Sequence, residues 1–336
     1  MLLFLCRRLL LLIPTLAGIS ALVFLMIHLV PGDPAQIMLG ERANAVTLAA
    51  LRAEMRLDQP LHHQFGHFLS GLVTGDLGRS LRTQEKVTTE LLKRFPATFE
   101  LTVVSMIIAV ALGSCAGLVA AARQGRWLDH LCMVGATTGI SLPVFWLGLM
   151  LILVFAVQLP LLPVSGRIST HLYVPPVTHF YLIDAALALD GSAIVDVLRH
   201  LTLPALTLCT IPMAVIARMT RASLLETLGQ DFIRTAWAKG LSERAVLLRH
   251  AFRNAAIPTL TVIALEFGFL LGGAIITETI FSWPGVGRWV FLAVQARDFR
   301  VVQGGVLLLA TLFVLVNTCA DLLYAWLDPR IRYDRR

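Results

Sequence analysis

The chain has 336 residues, 57% hydrophobic and 15% charged, with a mean hydropathy of +0.77 and a formal net charge of +7. A soluble domain carries roughly 25% charged residues, so an ordinary soluble fold is excluded and a polytopic all-α membrane protein is indicated. Cysteines 6, 115, 132, 209 and 319 are dispersed in or beside apolar runs and form no CxxC, which excludes a disulfide framework or a zinc site.

The first apolar run, 9–30, follows Arg7 and Arg8 but is too long for a signal-peptide core, so it reads as a retained membrane helix. The segment 31–97 carries two helical patterns, 45–57 and 61–73, followed by Gly71, Gly75 and Gly78, which predicts a small helical cap on the outer face. Further spans are expected over 101–121, 131–157, 201–217, 257–277 and 301–320. Each lies near the ~20 residues that cross a bilayer, giving six in all. Pro143 and Pro212 should kink their helices. Gly113 and Gly117 form a small-xxx-small face for close helix approach, with ordinary packing as the alternative reading of both features. The segment 158–199 is proline-rich and predicts an irregular loop with a short helix near 182–198.

Placing the termini, 122–130 and 218–256 on one side gives those segments 15 Lys+Arg against 6 Asp+Glu, whereas the opposite side has 13 against 12. The positive-inside rule then puts both termini in the cytoplasm, and anionic headgroups account for the basic charge without nucleic acid. The expected organisation is an N-terminal span over 1–30, a cap over 31–97, a core over 98–330 holding the loop 218–257, and a tail over 331–336.

Within that loop, Asp231 to Pro258 carries Arg234, Lys239, Arg244, Arg249 and Arg253 over about five helical turns. Gly240 suits a tight turn between two short helices, 231–239 and 242–253, the second starting at Ser242. Such an element suits docking of a soluble cytoplasmic partner, or else an interfacial helix held by anionic lipid. At the outer end of the fifth span, Pro284, Gly285 and Gly287 predict an irregular turn flanked by Trp283 and Trp289, beside a solute path or as a surface anchor. Glu266 lies mid-span, where a carboxylate costs roughly 2.5–3.5 kcal/mol, and so should face the bundle interior, either as a path contact or hydrogen-bonded to a neighbour. Asp321 reads as a structural partner of a basic residue.

The motifs PGDP at 31–34, GDLGRSLRT at 75–83, SLPVFWLG at 141–148, LPVSGR at 162–167, HAFRNAAIP at 250–258, ETIFSWPGVGRW at 278–289 and DPRIR at 328–332 occur in an order that resembles one family. It is the first permease subunit of the dipeptide, oligopeptide and nickel group of ABC importers. The resemblance implies a type I ABC importer permease (MetI-like) fold of six transmembrane helices in the bacterial inner membrane. It also implies a second homologous permease, two cytoplasmic ATP-binding subunits holding ATP and Mg2+, an extracytoplasmic solute-binding protein and a peptide substrate. The family's coupling signature, E-A-A, three residues, Gly, nine residues, Ile, one residue, Leu-Pro, falls here on Arg234-Thr235-Ala236, Gly240, His250 and Phe252-Arg253, of which Ala236 and Gly240 match. The resemblance thus assigns ATPase coupling to Thr235, Ala236, Lys239, Gly240, Leu241, Ser242, Arg244, His250 and Arg253. The translocation path is expected at Glu266, Glu278, Phe281, Trp283, Pro284, Gly285 and Gly287. The segment 172–191 is closer to dipeptide permeases than to the shorter nickel or glutathione relatives.

Two rival chemistries remain weak. Gly139-Ile140-Ser141 fits a G-x-S nucleophile superficially, but His171, His179, His200 and His250 all fall outside the apolar runs, leaving an intramembrane serine protease without its base. No HExxH or GxxxxGK[ST] occurs, so no catalytic residue and no cofactor of this chain's own is expected. His63 and His67 could share a helical face for nickel or zinc, but no third ligand is near in sequence, so they read as cap-surface residues.

Overall fold

The computed structural model describes residues 2–29, 33–40 and 43–327, and the architecture is all-α with no β-strand among them. Pro31 and Gly32 of the PGDP motif, the DPRIR segment and the Asp321 side chain lie outside the described set.

The chain enters as α1 (Leu2–His28) and forms the expected cap from α2 (Pro34–Leu39), α3 (Ala45–Glu54) and α4 (Leu61–Thr74). α3 starts on a reciprocal capping box between Asn44 and Thr47, and α4 stops where Gly75 turns left-handed at φ 74°. The cap is tied to the core by polar contacts: Arg300 donates to Glu54 (2.8 Å), Ser80 and the Leu81 amide donate to Asp298 (2.6 and 2.9 Å), and His28 meets Gln64 at 3.0 Å.

Among the described residues, four continuous helices are long and apolar enough to cross a membrane: α5 (Val87–Ala122), α9 (Gly191–Leu228), the run Glu243–Gly272 and Phe299–Ala320 within α15 (Phe299–Leu327). A fifth apolar segment is bent into two helices. α6 (Trp127–Ser141) and α7 (Val144–Leu151), which winds on as π-helical turns to Gln158, meet at 102°. Pro143 causes the break, because the residue before it, Leu142, is forced to an extended conformation (φ −81°, ψ 131°). By contrast, α9 runs through both Pro204 and Pro212 as one continuous helix. The described apolar stretch of α1, Leu10–Met26, is shorter than the other four.

α5 and α9 contain 36 and 38 residues, about 55 Å each at 1.5 Å per residue, against ~30 Å of hydrocarbon. Both therefore project beyond the bilayer as polar helical extensions, which the apolar runs 101–121 and 201–217 do not reveal. The single helix expected near 182–198 is in fact α8 (Tyr181–Leu187) followed by the first turns of α9. Asp190 starts α9 by accepting from the amides of Ser192 and Ala193.

α9 is the axis of the molecule: 67% of its apolar window is buried inside the protein, against 28–39% for the other three helices. Gly113 and Gly117 let α5 lie against it. A Cβ at Gly113 would stand 2.6 Å from the Met213 carbonyl oxygen, and one at Gly117 2.5 Å from that of Ala217. The small-xxx-small face is therefore a real helix–helix seam. Its core continues through Ala97, Leu101, Val197, Leu201 and Ile216 up to Trp283.

Candidate functional site

Two assemblies of functional residues stand at opposite ends of the bundle. One begins after α9, where α10 (Asp231–Ala238) turns Ile233 and Ala236 into a core with Leu224, Val246 and Ala251. Thr235 and Arg234 lie on the opposite, exposed face of α10, beside exposed Lys239. The helix ends in a Schellman turn: Gly240 at φ 75° donates to the Trp237 carbonyl (2.9 Å), and the Leu241 amide to that of Ala236 (3.4 Å). An added Cβ at Gly240 would meet nothing within 4 Å, so glycine is required there by its backbone dihedral alone.

Ser242 precedes the next helix in an extended conformation and makes no side-chain cap bond. That helix does not end near 253 as expected. α11 (Glu243–Ala245) passes through π-helical turns at Val246–Ala251 directly into α12 (Phe252–Gly273), so the turn at Gly240 is joined to a membrane crossing by unbroken helix. Arg244 and Arg253 are exposed, and His250 is half-buried with its carbonyl accepting from Asn254 (2.8 Å). The outward face also carries Phe232, Trp237, Leu241 and Leu248, all exposed. Sequence reasoning fixed on the cations and passed over these apolar positions. By helical period Phe232 and Trp237 flank the Ile233–Ala236 face, each four residues from one of its members, so spacing alone would bury them and only the fold shows them exposed.

Nearby, Arg221 of α9 grips Asp129 of α6 through two hydrogen bonds of 2.6 and 2.8 Å, and the Gly125 amide adds a third at 3.0 Å. The partners lie 92 positions apart, and no local pattern announces them.

At the opposite end of the bundle, α13 (Ile275–Ile280) and α14 (Val286–Gln295) are joined by the irregular turn at 281–285. Glu278 organises this turn. It is fully buried, accepts from the Thr98 hydroxyl (2.6 Å) and the Arg288 amide (2.8 Å), and packs against Gly285 and Gly287. Thr98 in turn accepts from the Val286 amide at 2.8 Å. Trp283, also fully buried, donates to the Ala97 carbonyl (2.8 Å), and the Phe281 carbonyl accepts from the Gly166 amide (3.0 Å). Trp289 donates to Glu90 at 2.8 Å. Glu278, Phe281, Trp283, Gly285 and Gly287 are thus packed inside this subunit, and of the turn Pro284 borders an open cavity. Glu266 stands apart on α12, half-buried, with no hydrogen bond or ion pair to a described residue.

Beside this turn is a buried ion pair that sequence reasoning missed. Arg167 donates to Glu100 (2.6 Å) and to the His179 carbonyl (3.2 Å), and its guanidinium lies 4.0 Å from the Tyr181 ring centre. Ser141 donates to the Thr137 carbonyl (3.0 Å) at the α6–α7 break. His63 and His67 are exposed on α4, and no group of three His, Cys, Asp or Glu among the described residues is placed to hold a metal ion.

A helical bundle with several membrane crossings, a cationic and partly apolar hairpin on one side and a packed tryptophan turn on the other defines a polytopic membrane transport subunit. The chain belongs to the family of binding-protein-dependent transport system inner membrane components, which it matches over residues 113–333; residues 1–102 match that family's N-terminal membrane component. It is 50% identical over the full length of both chains to the dipeptide transport system permease protein DppB of Escherichia coli (strain K12). It is 49% identical, again over 100% of each chain, to the di/tripeptide transport system permease protein DppB of Pseudomonas aeruginosa (strain UCBPP-PA14). To the glutathione transport system permease protein GsiC of Escherichia coli O6:H1 it is 44% identical over 99% of this chain and 100% of the other.

Proposed function

We propose that this protein is the membrane permease subunit of an ATP-driven importer that carries dipeptides and other short peptides inward. The carrying observation is the full-length 50% identity to a dipeptide permease, with every element from the cap to α15 included in the match. In this reading both termini and the hairpin 231–257 face the cytoplasm. Two ATP-binding subunits, which supply ATP and Mg2+, seat on Phe232, Trp237, Leu241 and the surrounding cations. A second permease completes the path, and a solute-binding protein delivers peptide to the outer face. The chain itself carries no phosphate-binding loop, so hydrolysis falls to the partners.

The helical continuity from Gly240 into α12 supplies the mechanics. A rigid helix transmits displacement along its axis, so closure of the ATPases against 231–251 moves a membrane crossing directly instead of flexing a loop. The π-helical turns and Pro258 lie where that helix enters the membrane and lack regular i→i−4 bonding, which gives the lever a bending point.

Competitive uptake of a labelled dipeptide, a longer peptide, glutathione and nickel by the complete assembly tests the substrate class. Preference for the dipeptide is expected, and preference for nickel would overturn the reading. Cysteine introduced at Lys239 should be labelled from the cytoplasmic side only; labelling from outside would refute the topology.

A further inference from the structure

The outer cavity beside the turn holds about 430 Å³, within the range of small-ligand sites, and its walls are strongly charged. Glu85 precedes α5, Glu90, Lys93 and Arg94 come from its projecting start, Arg167 and Tyr181 from the segment before α9, and Pro284 from the tryptophan turn. Two of the three cations are already engaged. Lys93 pairs with Glu85 at 3.3 Å, and Arg167 is held by Glu100 behind the wall, although its Nε is buried and without a hydrogen-bond partner.

Arg94 is different. Its nearest carboxylate oxygen, on Glu90, is 3.9 Å away, and the other Glu90 oxygen is occupied by the Trp289 indole. The guanidinium lies over the Trp289 ring at 5.6 Å to the centroid. Arg94 makes no hydrogen bond to a described residue, so its donors are free to receive a carboxylate through two parallel hydrogen bonds. With Glu85 committed to Lys93 and Glu90 bonded to the Trp289 indole and only at long range to Arg94, Arg94 is the cation of this wall with donors to spare, which suits an anion of carboxylate size.

We propose that this cavity is a recognition subsite for the free carboxylate of a peptide at the outer mouth of the pathway, with Arg94 as the specificity-determining residue. The inference rests on the peptide-import reading. It adds a selection step in the permease to whatever selection the solute-binding protein makes. The carboxylate forks onto Arg94, the unbonded Nε of Arg167 adds positive potential at the inner wall, and Pro284 couples the cavity to the packed turn around Glu278.

The test uses the complete importer in proteoliposomes, with solute-binding protein loaded to equal occupancy with a dipeptide or with the same dipeptide amidated at its C-terminus. Uptake is compared for wild type, Arg94→Gln and Arg94→Lys. The acid-to-amide uptake ratio should fall about tenfold in R94Q, the scale of one lost charge-assisted hydrogen bond, and only partly in R94K, with binding-protein-stimulated ATPase preserved. An unchanged ratio in both variants overturns the proposal. A weakened response to the binding protein that is equal for acid and amide also overturns it, and makes Arg94 a docking contact. Failure of the wild type to import either peptide sinks the peptide-import reading instead, so the two failures are distinguishable.

Discussion

Replacing Gly285 by alanine is expected to unlock the turn at 281–285, although the backbone there would accept any residue. Gly285 has φ −86° and ψ 179°, so no dihedral strain is involved. Space is the constraint: an ideal Cβ would lie 2.5 Å from Glu278 Oε2 and nearer still to Cδ and Oε1, where ordinary contact begins at 3.4 Å. The carboxylate must therefore retreat by about 1 Å from a fully buried position, pulling away from the Thr98 hydroxyl and the Arg288 amide. Bonds to a charged group are worth about 1.5–3 kcal/mol each, and overpacking typically costs about 1–3 kcal/mol. With partial relaxation a loss of about 2–4 kcal/mol follows. Thermal unfolding of the purified importer should show a midpoint lower by about 5 °C or more, with reduced uptake. The Glu278→Ala background separates this mechanism from nonspecific damage. There the alanine at 285 finds room, so the double variant should be less impaired than the two single losses added, by about 1 kcal/mol or more. Strict additivity, or an unchanged midpoint in G285A, would refute the reasoning.

Gly117→Ala should cost about 1–3 kcal/mol by prising α5 from α9, whereas Gly135→Ala, with nothing within 4 Å of its added Cβ, should be neutral or slightly stabilising by helix propensity; equal effects in unfolding midpoints would contradict the seam. Asp129→Asn should destabilise by about 2 kcal/mol, less than a fully buried pair because Arg221 is 30% exposed, and Arg221→Met in the same background should recover part of the loss. Gly240→Arg should leave membrane insertion and subunit assembly intact but uncouple ATP hydrolysis from uptake, through the strain of a side chain at φ 75° and a new bulk on the docking face. Full uptake by that variant would argue against the coupling role. Asp184 gives a pH signature. Burial pushes its carboxyl up, but the Thr178 hydroxyl and the amides of Val177, Thr178 and His179 outweigh that and hold it below its ordinary value. The stabilisation of wild type over Asp184→Asn should then be constant above the unfolded carboxylate value of about 3.9 and shrink as pH falls through the lowered folded value. A difference in midpoint that persists undiminished to pH ~3 would count against it.

Hydropathy and periodicity in the chain by themselves determined the membrane class, the cap helices at 45–57 and 61–73 and a tight turn at Gly240, and offered Gly113 and Gly117 as a face for close approach. Each depends on interactions within a few residues or on a single face of one helix, where spacing alone carries the information. The length of α5 and α9 beyond the bilayer, the union of the hairpin with α12, and the continuity of α9 through Pro212 were decided only by tertiary packing. Neighbouring helices support a polar or proline-bearing turn that its own residues would not hold. The same holds for Asp129 with Arg221, Arg167 with Glu100 and Glu278 with Thr98, separated by 92, 67 and 180 positions. A charge in a long apolar sequence announces that a partner must exist, because leaving it bare in a low-dielectric interior costs too much. Which residue answers is fixed by how the helices cross, and that is a property of the folded bundle.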